Sequence, residues 1–73
     1  MNVCTRNSIY QVRGMGDHIE VTKISEGNKS PAVKVGEVIR AKRVVIEIGQ
    51  AMTVFPLVGT GNLITSTVMK IEG

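Results

Sequence analysis

The apolar residues of this chain are mostly β-branched, and they stand in short runs divided by glycines. No other feature constrains the fold as strongly. Valine, isoleucine and threonine are stiff at χ1 and suit a pleated, half-buried surface, while repeated glycines break a helix. The pattern predicts an all-β fold. A first strand is expected from about Val3 to Val12 and a second near His18 to Ser25, with Ile19, Val21 and Lys23 alternating against Glu20, Thr22 and Ile24. A third block, Glu37 to Ile48, reads as one bent strand or two short ones. A strand over Ala51 to Val58 follows, with Pro56 near its end as at an edge or a bulge, and the last strand covers Leu63 to Glu72. Val38, Ala41 and Val45 keep helical spacing, but the β-branched density there argues for a strand.

Turn chemistry separates these runs. Arg13-Gly14-Met15-Gly16-Asp17 and Gly59-Thr60-Gly61-Asn62 are hairpin turns, and Glu26 to Pro31 is the clearest loop, where most mobility is expected. From Val33 onward a nine-residue pattern recurs without a gap, Val33 to Ala41 aligning with Ile46 to Val54. Each copy has alternating apolar positions, then a glycine, then Glu37 or Gln50, then an apolar strand start. Read physically, the glycine bends one strand into the next, as small barrels require; the same similarity also arises by chance between two β-turns. Five to six strands with glycine bends make a small SH3-like or OB-like barrel, or a highly curved sheet.

Seventy-three residues support one domain with one core. A chain of this size buries roughly 60% of its unfolded surface, so staples or partner subunits commonly assist. The single cysteine, Cys4, excludes an intrachain disulfide, and with the single His18 it cannot close a structural zinc site. Self-association is therefore an expected source of stability. The lone thiol points to a reducing compartment, and the longest uninterrupted apolar run, Val44 to Ile46, is far short of a membrane span or a signal peptide. A cytoplasmic protein without a membrane segment is expected.

Catalytic chemistry is not legible. His18 reads as a solvent-exposed residue at a strand start, Cys4 as a small buried apolar residue, and Asp17-His18-x-Glu20 has no spacing specific to a reaction. The pairs Gly14-Met15-Gly16 and Gly59-Thr60-Gly61 lack the following helix that a phosphate loop needs, so both read as turns. The expectation is a non-enzymatic protein with no metal and no cofactor.

The formal charge of +3 is a modest basic bias, and its distribution matters more than its size. Arg40, Lys42 and Arg43 form the one dense basic cluster. On a regular strand Arg40 and Lys42 share a face and Arg43 points to the other, unless a bulge intervenes. Lys23 and Lys34 extend that surface in the sequence reading, with Lys29 beside them. The cluster suits a phosphate backbone, or else keeps an edge strand soluble. Tyr10 and Phe55 are the only aromatic residues, so base stacking on aromatic platforms is meagre.

Thr5-Arg6-Asn7-Ser8-Ile9-Tyr10, Ile48-Gly49-Gln50-Ala51-Met52 and Thr65-Ser66-Thr67-Val68 resemble segments of uncharacterised small phage and prophage proteins of similar length. That resemblance implies an accessory protein of a bacterial virus or an integrated element, acting in the host cytoplasm. It carries over no site residue. Two functions follow as expectations. The first is a protein-interaction module that recruits a partner strand at exposed edges over Arg40 to Val45 and Leu63 to Ile71. The second is nucleic-acid binding through Arg40, Lys42, Arg43, Lys23 and Lys34. Capture of a small anionic ligand at a subunit interface is a third, more general reading.

Overall fold

In a computed structural model, which describes residues 1–26, 35–59 and 61–73, the described residues form six strands and no helix. They are β1 (Asn2–Thr5), β2 (Ser8–Gly14), β3 (Ile19–Glu26), β4 (Val38–Val45), β5 (Ala51–Pro56) and β6 (Leu63–Glu72). Each pairs antiparallel with its sequence neighbours, and β1 pairs with β6, so the sheet closes into a barrel. The all-β small barrel expected from the sequence is the fold. Its strand order is sequential, a meander rather than the Greek key of an OB-fold.

Alternation places one side of every strand inside. Val3, Tyr10, Val21, Ala41, Met52, Val54 and Val68 make the core, with Val12, Ile19, Ile39, Val44, Ile46 and Leu63 packed against them. All six strands contribute, which is how so short a chain fills a barrel with side chains.

The predicted first strand is two. Asn2, Val3 and Cys4 pair with Gln11, Tyr10 and Ile9, so the chain reverses at Arg6-Asn7. No glycine marks this turn. Instead the Thr5 hydroxyl donates to the Ser8 carbonyl at 3.0 Å and accepts from the Ser8 N–H at 3.1 Å. The Arg6 N–H donates to the Thr67 carbonyl at 2.9 Å, and the Asn7 N–H donates to the Ser66 hydroxyl at 3.1 Å. Side-chain oxygens here supply what a backbone turn would otherwise require.

The other turns fall where glycine announces them. Gly16, with φ of 93°, opens the β2–β3 turn, and the Met15 N–H donates to the His18 carbonyl at 2.8 Å. That arrangement suits a type II′ hairpin, which has glycine at its first central position. Gly59 has φ of 97°, and Thr60 lies outside the described residues. The predicted loop of Glu26 to Pro31 also lies, beyond Glu26, outside them.

The internal repeat corresponds to a repeated corner. Gly36 and Gly49 have φ of 89° and 91°, and β4 and β5 begin two residues after them, at Val38 and Ala51. The Gly36 N–H donates to the Lys23 carbonyl at 2.7 Å, and the Lys23 N–H donates to the Glu37 carbonyl at 3.3 Å. The Gly49 N–H donates to the Val68 carbonyl at 2.9 Å, and the Val68 N–H donates to the Gln50 carbonyl at 2.8 Å. Each corner thus grips one inward residue of a neighbouring strand, and the residue after it, Ile24 or Met69, is bulged out of the ladder. Such bulges bend and twist the strands enough to close a barrel this narrow.

Candidate nucleic-acid interface

The β4–β5 ladder pairs Ala41 with Pro56 but Arg43 with Phe55, so β4 carries one residue more than its partner and Lys42 is the bulge. The cause is the core. Ala41 is buried and Val44 packs against the cluster, three positions later, whereas a regular strand would send one of the two outward. Inserting Lys42 keeps both inside. As a result Arg40, Lys42 and Arg43 all face solvent. Pro56, which has no N–H to donate, sits at the irregularity where it costs the ladder least.

Among the described residues none of these three cations forms an ion pair. The Arg43 guanidinium lies over the Phe55 ring, 5.3 Å from its centroid. That contact fixes the side chain for about 0.5–1 kcal/mol while leaving its charge in place. Glu20 is the cross-strand neighbour of both Arg40 and Arg13, yet its carboxylate lies 3.7 Å from Nε2 of His18. Arg13 is exposed in this row, with Glu20 between it and Arg40, a placement that sequence order alone did not suggest. Only the register brings it within two strands of Arg40.

Lys23 does not extend the ridge. Its side chain is 0% exposed, on the inner face of β3 opposite Tyr10, because the alternation that buries Val21 also buries the residue two positions later. Its aliphatic stem fills the barrel as an apolar residue would. Lys34, with Lys29, lies outside the described residues. β4 is paired by β3 over Val38–Ala41 and by β5 over Ala41–Val45, and β6 by β5 over Leu63–Thr67 and by β1 over Val68–Glu72, so the two neighbours of each strand take different halves of it. Barrel closure leaves neither strand an edge along its whole length, and the strand addition expected at Arg40 to Val45 and Leu63 to Ile71 has room only where the second ladder stops.

Two further residues differ from the sequence expectation. Cys4 is half-buried on the outer face of β1, since Val3 and Thr5 take the inner one, and its thiol donates to Glu72 Oε1 at 3.7 Å. His18 is only 20% exposed, held between Asp17 at 2.7 Å on Nδ1 and Glu20 at 3.7 Å on Nε2. The imidazole hydrogen bond, reinforced by Asp17's own backbone N–H, holds the Asp17 carboxyl below its ordinary value. The hairpin turn thus assembles an Asp–His–Glu group that its sequence spacing did not specify. No set of three or more histidine, cysteine or acidic residues among the described residues is arranged to hold a metal ion.

A second feature adjoins the ridge. Val38, Ile39 and Arg40 of β4, with Pro56 of β5 and Leu57 and Val58 just beyond it, line an open groove of about 510 Å³. The Leu57 N–H donates to the Arg40 carbonyl at 3.0 Å, which continues the ladder past Pro56 and fixes the far wall. The sequence signal for this groove is the apolar pair Leu57-Val58 placed after a proline, outside any strand. The described residues contain no helix long and apolar enough to cross a membrane. Searches of protein-family models, curated proteins and solved structures give no match to the chain.

Proposed function

We propose that this barrel is a non-enzymatic nucleic-acid-binding module that holds the phosphate backbone on the ridge of Arg40, Lys42 and Arg43. The observation that carries the reading is the bulge at Lys42, which turns three near-consecutive cations to one exterior surface with no carboxylate paired to them among the described residues. Cations arrayed along one strand can neutralise phosphates of a backbone and release counterions on contact. The resemblance of three short segments to phage and prophage proteins agrees with an accessory binding protein of such an element, working in the host cytoplasm.

The test is fluorescence anisotropy with DNA and RNA across a salt series. Three phosphate contacts on a single strand give a slope of roughly −2 in log K against log salt, or about a twentyfold loss between about 50 and 200 mM. Replacing Arg40 and Lys42 together by alanine is expected to reduce the slope to about −0.7, uniformly across sequences. Absence of binding at low salt refutes the reading, as does an unchanged slope in the double variant. A protein partner or self-association is the second reading, favoured by the exposed Ile64 and Met69 of β6. A light-scattering mass near a multiple of 7.9 kDa would support its self-association form.

A further inference from the structure

We infer that the groove between β4 and the end of β5 is a slot for an unstacked base, so that the ligand of the ridge is a single strand rather than a duplex. This rests on the nucleic-acid reading above and deepens it. Arg40 belongs to both features, lining the groove while standing first in the ridge. It is also the one charged residue of the lining, where no carboxylate is present. The other walls are aliphatic, with Val38 50%, Leu57 46% and Val58 88% exposed. A ligand that fits carries a compact body with apolar faces, tethered within a few atoms of an anion, with further anions following along β4. A nucleotide within a strand has that form. The groove volume of about 510 Å³ falls within the range of small-ligand sites, about 300–1,000 Å³.

The alternative place for a base is Phe55, but the Arg43 guanidinium covers that ring at 5.3 Å. The groove is an apolar surface that adjoins the cations and stays open. A duplex keeps its bases stacked and paired inside, and offers the ridge only its backbone. A single strand offers both, which is how sequence-tolerant binders combine a cationic track with base contacts.

The experiment compares a short single-stranded oligonucleotide, the same sequence as a duplex, and an abasic sugar-phosphate strand of equal length, by anisotropy at low salt. The base-carrying single strand is expected to bind about tenfold more tightly than either of the others, a difference of about 1.4 kcal/mol. Substituting Leu57→Ser with Val58→Ser is expected to lower single-strand affinity to the abasic level and leave abasic binding unchanged. Val58→Ser alone touches a side chain that is almost wholly in solvent, so it keeps the test readable if the double variant unfolds. It should move the ratio in the same direction by a smaller factor. Equal binding of all three probes overturns the slot and leaves the ridge standing. A tenfold preference that survives both substitutions overturns it too. If no probe binds, the ridge reading falls and takes the slot with it.

Discussion

Replacing Gly49 by alanine tests the corner geometry that closes the barrel. Gly49 has φ of 91°, and a Cβ built there meets nothing within 4 Å, so any cost is backbone strain and not a clash. The backbone is not free to rotate away from that angle. The Gly49 N–H is bonded to the Val68 carbonyl at 2.9 Å, and the next residue's carbonyl accepts from the Val68 N–H at 2.8 Å. An L-residue held at such a φ costs about 1–3 kcal/mol. Alanine also narrows the unfolded ensemble, which returns about 0.4–1 kcal/mol, so the net loss is about 0–2.6 kcal/mol. For a domain of this size each kcal/mol moves Tm by about 4–8 °C, giving a fall of up to about 20 °C. Gly14 is the control: its Cβ position is equally open and its φ is not positive, so Gly14→Ala keeps only the unfolded-state gain and should hold or raise Tm. Calorimetry on both variants makes the comparison, with a D-alanine at position 49, introduced by chemical ligation, expected to recover the loss. If Gly49→Ala melts no lower than Gly14→Ala, the corner does not require a positive φ and the account of the repeat is wrong.

Deleting Lys42 should be tolerated, because Ala41 and Val44 stay in phase with the core once the bulge residue is gone, whereas deleting Ala41 drives Lys42 inward and should abolish the cooperative transition. Circular dichroism and thermal unfolding of the two deletions decide this, and equal damage from both would show that the bulge is not where the strand absorbs its extra residue. The Asp17–His18 contact makes a pH prediction: a carboxyl held below its unfolded value of about 3.9 stabilises the fold above that pH, and the contribution fades as pH falls through the folded pKa. In an NMR titration His18→Ala is expected to return Asp17 toward the ordinary carboxylate value, and an unmoved Asp17 would mean that the imidazole is not the cause.

The parts of this structure that were legible in the sequence are those decided by a few adjacent residues. β6 runs over Leu63–Glu72 as the alternation of its residues indicates, and β4 and β5 start just past Gly36 and Gly49, because a positive φ is a local demand that glycine meets without steric cost. The turn at Arg6-Asn7 was not legible, since hydroxyls of Thr5 and Ser66 hold it and no backbone signal marks it. The candidate site divides in the same way. Its three cations are a cluster in the sequence, but their common exposure comes from a bulge that exists only because Ala41 and Val44 must both face the core.

The sequence by itself determined that the chain is built of β-strands, where most of them turn, and which residues bring positive charge to β4. Tertiary structure alone decided that the sheet closes, that Lys23 goes inside, that Arg13 stands in one row with Glu20 and Arg40, and that Leu57 and Val58 wall a groove against Arg40. The physical reason is register. Turn and strand preferences act within a few residues, whereas pairing fixes which distant side chains meet, and barrel closure imposes one set of pairings on all six strands together.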